Sequence, residues 1–132
     1  MPHLTIEYSK NLEQKLDVQA LCDALLEESL KQLDDKGNRI FPVGGTRVFA
    51  YPAAYYAIAD GQDTHGFIYV KARVTAGRPP QLVKQIGDNL LTVLRQFISP
   101  LYESETIGYT LQLDEGAEVY DAKEGNLRSL FS

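Results

Sequence analysis

The chain has 132 residues, of which 44% are hydrophobic and 23% charged, and its formal net charge is -5. This length and hydrophobic content predict one folded domain, residues 1–132, with its own core, and they exclude a disordered chain. The acidic balance argues against nucleic acid as a main partner. A single cysteine excludes a disulfide framework, and no apolar run approaches membrane-spanning length. We therefore expect a soluble cytoplasmic protein with no membrane partner.

Residues 3–8 alternate between apolar and polar side chains, a pattern typical of a half-buried strand. Asp17 is a good N-cap residue, and the apolar residues that follow it recur at helical spacing. We expect this helix to end within residues 34–37, where Gly37 and Asn38 can supply a left-handed cap.

A second strand is predicted over residues 46–51, and we expect Pro52 to end it. Residues 53–63 fit either a short helical turn or an irregular excursion. Within them, Asp60 and Gly61 form a typical turn signal. The first half of the chain is therefore predicted to run strand, helix, strand.

The second half repeats this order, with strands predicted over residues 67–74 and 106–113. Between them, residues 82–98 carry a strongly amphipathic helical pattern, and the prolines at 79–80 suit its first turn. Gly87 lies inside this helix, and we expect it to mark a close approach of the helix to the sheet.

The chain order is therefore βαβ–βαβ, and residues 23–26 faintly resemble residues 88–91. The expected fold class is α+β: a four-stranded mixed sheet with two helices on one face, in two halves of about residues 1–60 and 61–132. The other sheet face also carries apolar or aromatic side chains and is left uncovered. Because such a face is a poor surface for a monomer, we expect a cyclic homo-oligomer with its sheets facing inward.

Pro2 is the most informative residue, because it stands directly behind the initiator Met1. Processing enzymes accept a small residue here, so we expect Met1 to be removed and Pro2 to carry a free secondary amine. An α-amino group titrates near pH ~8, and a dry pocket or nearby cations lower its pKa toward neutrality, which suits a general base. The simpler alternative, which position alone favours, is that Pro2 only begins a strand. A retained Met1 would leave an amide there, which cannot act as a base.

Other polar residues have weaker patterns. His65 lies near two aspartates, but two histidines spread across the chain have no metal-ligand spacing, so no metal is expected. Cys22 lies on the apolar stripe of the first helix and is expected in the core rather than as a nucleophile. His3 is expected to pack rather than to react. The acidic tail ends in the apolar residues 127–131, which we expect to dock on the chain's own core or on a neighbour.

Four short stretches occur in order along the chain, namely Pro2-His3, Phe41-Pro42 followed by Gly45-Thr46-Arg47, Ala59-Asp60-Gly61-Gln62, and Ala76-Gly77-Arg78. In these stretches and their spacing, over nearly its whole length, the chain resembles the 5-carboxymethyl-2-hydroxymuconate Δ-isomerase family of the tautomerase superfamily. The resemblance implies a homotrimer that moves a proton between carbons of an unsaturated 2-hydroxy or 2-oxo acid during homoprotocatechuate breakdown. It also implies a small anionic substrate, no cofactor and no metal.

The resemblance assigns roles to three residues. The family's amino-terminal proline acts as both acid and base, and this role falls on Pro2. Two arginines of the family bind and polarise the acidic substrate, and they match Arg47 and Arg78. On spacing alone, Arg39 and Arg73 are equally plausible, so only the resemblance leaves them as surface or interface charges. Arginine suits the task because its planar fork matches a carboxylate and stays ionised.

One departure from the family bears on the substrate. Members commonly carry a second basic residue two positions after the one that matches Arg47, and here Phe49 stands there. Residues 51–56 also differ from a family stretch that contains tryptophan. Two alternatives therefore stay open. One is a promiscuous keto–enol tautomerase that acts on arylpyruvates or another dienol acid, and the other is a non-catalytic trimeric binding protein in which Pro2 is structural.

Overall fold

A computed structural model of the protein describes residues 2–131, so the expected removal of Met1 concerns a residue outside the described range. The strands are β1 His3–Ser9, β2 Arg47–Ala53, β3 His65–Thr75 and β4 Thr106–Gly116. The helices are α1 Val18–Lys31, between β1 and β2, and α2 Pro80–Ile98, between β3 and β4. Neither these helices nor the shorter 3-10 turns within residues 2–131 have the length and apolar character needed to cross a membrane.

The sheet has the strand order β2-β1-β3-β4. β1 pairs in parallel with β2, β3 pairs in parallel with β4, and the two central strands β1 and β3 are antiparallel. Each parallel pair is connected through a helix, as a parallel connection requires. The expected four-stranded mixed sheet built from two βαβ units is therefore confirmed.

The core lies between the helices and one face of this sheet. Alternate residues of the two central strands are almost completely buried, among them Leu4, Ile6, Ile68 and Val70. The helices contribute equally buried side chains, namely Leu21 and Leu25 from α1 and Ile86, Leu90 and Leu94 from α2. Burying each such side chain stabilises the fold by roughly 1.5–3 kcal/mol, which is why the strand alternation dictates which face the helices cover.

The other face of the sheet carries no helix from residues 2–131. Its paired side chains form three successive rows, which are Arg47-His3-Arg73-Asp114, Phe49-Thr5-Lys71-Gln112 and Tyr51-Glu7-Tyr69-Thr110. Phe49 and Tyr51 are 47% and 52% exposed on this open face. The aromatic content expected for the uncovered face is thus present, and Phe67 and Tyr69 rather than Ile68 and Val70 contribute to it.

The start of α1 agrees with the prediction, but its end does not. The Asp17 carboxylate accepts a hydrogen bond from the backbone N–H of Ala20 at 3.0 Å, a cap worth about 1 kcal/mol. The helix ends at Lys31, before the expected residues 34–37. The reason is the next residue: the carbonyl of buried Gln32 accepts a hydrogen bond from Ile40 at 3.0 Å, which turns the chain out of the helix. Gly37, at φ +78°, lies in the following turn and does not cap α1.

The expected end of β2 at Pro52 is also wrong. Pro52 lies inside β2, where it is paired with Tyr8. β2 is an edge strand, so the missing N–H of a proline does not interrupt a ladder on both sides. Residues 54–64 contain turns but no helix, which decides for the irregular excursion. Gly61, at φ +90°, occupies the predicted turn.

Two glycines distinguish close packing from ordinary contact. A Cβ atom on Gly66, in β3, would lie 2.6 Å from Cδ2 and 3.0 Å from Cγ of the buried Leu12. A Cβ atom on Gly87, in α2, would meet only Cδ1 of Leu113, at 4.0 Å. The expected close approach at Gly87 is therefore wrong, whereas Gly66 is a glycine that the packing of the core requires.

We predict that Gly66→Ala lowers the free energy of unfolding by about 1–3 kcal/mol, because the added methyl group overpacks a filled site. Gly87→Ala, the matched control, should raise it by about 0.5–1 kcal/mol, because alanine is the better helix former and the site has room. Urea denaturation at one fixed protomer concentration measures both. Equal effects of the two substitutions would contradict this account of the packing.

A candidate active site at the proline end of the sheet

One end of the sheet collects most of the residues selected from the sequence. β1 and β2 begin at this end, and β3 and β4 finish there, because each parallel pair is antiparallel to the other. Pro2 directly precedes β1, and we call this end the proline end. The first residue of β1, His3, is paired with Arg47 on one side and with Arg73 on the other.

Pro2 is one of the most deeply buried residues, with less than 2% of its side chain exposed. Strand alternation places it on the same side as Leu4, toward the helix-covered core. Its ring is therefore held by apolar packing and removed from water. Such surroundings disfavour the charged form of an amine.

Arg47 opens β2 and is exposed beside Pro2's strand. Its Nη1 donates a long hydrogen bond, 3.4 Å, to the carbonyl of Gly45. Within residues 2–131 no carboxylate forms an ion pair with Arg47, Arg73 or Arg78. The proline end thus carries several guanidinium groups that are not neutralised by acidic side chains of the described chain.

Arg78 follows the end of β3 and is fixed by two contacts. Its Nη1 donates a hydrogen bond to the carbonyl of Thr75 at 2.7 Å, and its guanidinium carbon lies 5.2 Å from the ring centroid of the buried Phe41. Gly77, at φ +107°, makes the reversal between Thr75 and Arg78 possible. A cation over an aromatic face is stabilised by about 0.5–2 kcal/mol. This contact joins two of the four sequence stretches, because Phe41 belongs to the second and Arg78 to the fourth.

His3 packs as expected. Its ring lies edge-on to Phe49 with the centroids 5.3 Å apart, and its Nδ1 is buried without a hydrogen-bond partner in residues 2–131. Burial, followed by the positive charge of Arg47, holds the pKa of His3 below its ordinary value of 6.5. The ring is therefore neutral at neutral pH, and Phe49 occupies the place beside it.

The third stretch, around Asp60, does not lie at the proline end. It lies at the opposite end of the sheet, where β3 and β4 begin. His65 Nε2 lies 2.8 Å from Oδ1 of Asp60, and His65 Nδ1 lies 2.7 Å from the hydroxyl of Thr106. A hydrogen bond from the backbone of Gln62, and then the one to His65, lower the pKa of Asp60. This cluster shapes a loop, and no group of three metal-ligating side chains comes together within residues 2–131.

Cys22 is half-buried on α1, and burial raises the pKa of its thiol. A neutral, partly packed thiol is a poor nucleophile, in keeping with the predicted packing role.

The sequence did not indicate that the C-terminal segment lies beside Arg47. An open cavity of about 410 Å³ is lined by Arg47, by Gly44 and Gly45, and by residues 121–125, 127 and 128. Neither Pro2 nor Arg78 lines this cavity, so Arg47 is the residue that joins it to the proline end. The apolar residues at the end of this tail were expected to dock, but Leu127, Leu130 and Phe131 remain 60%, 74% and 55% exposed, and the tail meets the chain instead where Arg128 lies against Gly44.

Two βαβ units on one four-stranded mixed sheet, with both helices on one face, form a tautomerase-like fold. A sequence profile of the 5-carboxymethyl-2-hydroxymuconate isomerase family matches residues 2–131. The chain belongs to this family and is an isomerase. Family membership removes the alternative of a non-catalytic binding protein.

Individual relatives agree with this assignment. The 5-carboxymethyl-2-hydroxymuconate Delta-isomerase of Escherichia coli is 25% identical over 131 residues, 99% of either chain. A solved 5-carboxymethyl-2-hydroxymuconate delta-isomerase is 44% identical with a TM-score of 0.94, over 100% of this chain and 93% of that one. A 5-carboxymethyl-2-hydroxymuconate isomerase from Deinococcus radiodurans R1 is 29% identical with a TM-score of 0.86, over 99% and 94%.

The pairing of His3 with Arg47 leads to a pH prediction. Arg47→Gln should raise the pKa of His3 toward 6.5, but only partly, because burial is the larger cause. NMR titration of the His3 ring protons measures this, with Arg95→Gln on α2 as a control that should leave His3 unchanged. The unfolded chain binds the His3 proton more tightly than the folded chain does. The contribution of His3 to the free energy of unfolding of the wild type should therefore rise as the pH increases to about 6.5, and it should level off above that pH. A His3 pKa unaffected by Arg47→Gln would contradict the proximity of the two side chains.

Proposed function

We propose that this protein moves a proton between carbons of an unsaturated 2-hydroxy or 2-oxo carboxylic acid, with 5-carboxymethyl-2-hydroxymuconate or a close analogue as substrate. The observation that carries the proposal is the register of β1 and β2, which joins the strand after buried Pro2 to an arginine with no ion pair in residues 2–131. The names of the family and of its relatives support the substrate class. A cytoplasmic location and a role in homoprotocatechuate breakdown belong to the same proposal.

In this mechanism Pro2 is the acid and base. Once Met1 is removed, the free ring nitrogen of Pro2 takes a proton from the substrate and leaves a dienolate. The same nitrogen then returns the proton to a different carbon. One base can make both transfers when it lies over the plane of a fixed substrate. The burial of the Pro2 ring supports this role, because a dry site keeps the amine unprotonated near neutral pH.

Arg47 and Arg78 bind the substrate in this proposal. The dienolate needs positive charge that is already in place, and a guanidinium supplies it in a planar fork that matches a carboxylate. The hydrogen bond to Thr75 and the ring of Phe41 support Arg78 in this role, because they hold its guanidinium in one position before substrate arrives. In a chain of net charge -5, such local positive charge is also what brings an anion to the site.

The proposed assembly is a homotrimer in which the open faces of the sheets turn inward. Support comes from the half-exposed Phe49 and Tyr51 on that face, together with Phe67 and Tyr69 on the neighbouring strand. These aromatic side chains form a patch that association would remove from water. Sedimentation of the purified protein measures the state directly.

The central test is Pro2→Ala, assayed on 5-carboxymethyl-2-hydroxymuconate by the change in ultraviolet absorbance. We expect kcat to fall about 10²–10⁴-fold, the usual contribution of a general acid–base group, with the circular dichroism spectrum and oligomeric state unchanged. Intact mass of the wild-type protein should show that Met1 is absent. Wild-type turnover by the variant, or an active protein that retains Met1, would refute the mechanism.

Arg78→Ala should lower both substrate affinity and rate. We expect kcat/KM to fall by the equivalent of about 2–5 kcal/mol, because the carboxylate of the bound substrate would lose the charge that pairs with it. Arg95→Ala is the matched control, since Arg95 lies in the last turn of α2 and has no ion pair in the described residues. Unchanged kinetics of Arg78→Ala would remove this residue from the site. Assaying arylpyruvate enols beside the muconate distinguishes the promiscuous tautomerase, which would prefer the former.

A further inference from the structure

The end of the chain crosses over the start of β2. We call residues 121–131 the C-terminal strap; its last turn, Arg128–Phe131, packs against the 3-10 turn Val43–Gly45. A Cβ atom on Gly44 would lie 2.9 Å from Cα and 3.1 Å from Cγ of Arg128. The strap can lie this close only because residue 44 has no side chain.

The strap and the start of β2 form the walls of the open cavity of about 410 Å³ described above. Arg47 lines it from β2, and Arg128 lines it from the strap. This volume is within the range of sites that bind small metabolites. The cavity therefore shares Arg47 with the proline end and gains a second arginine from the strap, outside the sheet and the two α-helices.

The charges that line the cavity leave a net positive site. Lys123 is paired with Asp121 inside the strap. Neither Arg47 nor Arg128 forms an ion pair with any carboxylate of residues 2–131, and Glu124 is the one lining carboxylate that is likewise unpaired in that range. Two unpaired guanidinium groups against one unpaired carboxylate favour an anionic ligand.

We infer that Arg128 binds a carboxylate of the substrate other than the one beside the 2-hydroxy or 2-oxo group, and that the strap thereby selects enol acids with more than one carboxylate. This inference rests on the proposed function, because Arg47 is the residue through which the cavity meets the proton-transfer site. Arg128 acts in binding and specificity, and it makes no proton transfer. A substrate with a single carboxylate beside the reacting enol has no group to place against Arg128.

The test compares Arg128→Ala with wild type on two substrates, 5-carboxymethyl-2-hydroxymuconate and the monocarboxylate 2-hydroxy-2,4-pentadienoate. We expect KM for the former to rise about tenfold or more, the loss of one charge-assisted contact, with kcat changed by less than about threefold. Both constants for the monocarboxylate should stay within about twofold of wild type, which also shows that the variant is folded and its proline end intact. Arg128→Lys should recover part of the loss.

Equal losses on both substrates would show that the strap is only structural, and an unchanged KM for the muconate would remove Arg128 from binding; either result overturns the inference. Calorimetric titration with tricarballylate, a tricarboxylate that cannot react, separates this inference from the proposed function. Wild type should bind tricarballylate about tenfold more tightly than Arg128→Ala, while Arg95→Ala should bind it like wild type. Equal affinities, or no binding to wild type, would overturn the inference even if the isomerase assay succeeds. If no enol is turned over but this difference holds, the proposed function fails and Arg128 remains an anion-binding residue.

Discussion

The antiparallel pairing of β1 with β3 is the constraint on which the rest of the structure depends. Each βαβ unit alone would bring only its own strand beginnings together. β1 and β3 run in opposite directions, with His3 at the start of β1 opposite Arg73 near the end of β3. The starts of β1 and β2 therefore lie at the same end of the sheet as the ends of β3 and β4. That geometry brings Pro2, Arg47 and the loop of Arg78 to the same end of the sheet, although they are far apart in sequence.

Charge at this end runs against the character of the whole chain. The protein is acidic, and the ion pairs within residues 2–131 involve lysines and a histidine, while the arginines at the proline end have no such partner in that range. Arg78 is instead held by a carbonyl and an aromatic ring, which fix its position without neutralising its charge. A site arranged in this way keeps its electrostatic attraction for an anion, whereas a carboxylate partner would have cancelled it.

Much of the fold was predictable because the patterns involved are local. Strand alternation identified the buried face of β1, and Asp17 marked the start of α1 correctly. The errors arose where distant contacts decide. Gln32 leaves the helix because its carbonyl accepts a hydrogen bond from Ile40, and Pro52 stays in β2 because that strand is at an edge. Gly87 has room because a Cβ atom added there would lie 4.0 Å from Cδ1 of Leu113. None of these neighbours is visible from the residue's own stretch of sequence.

The candidate site divides in the same way. The sequence alone determined the order of the elements and the buried face of β1, since these follow from spacing and side-chain type, whereas Pro2, Arg47 and Arg78 were selected only through the resemblance to the family. Only the tertiary structure decided that the stretch around Asp60 belongs to the opposite end of the sheet, and that the strap carries Arg128 to the cavity beside Arg47. The physical reason is that strand register and the docking of a tail are set by packing between segments far apart in the chain, which local periodicity does not encode.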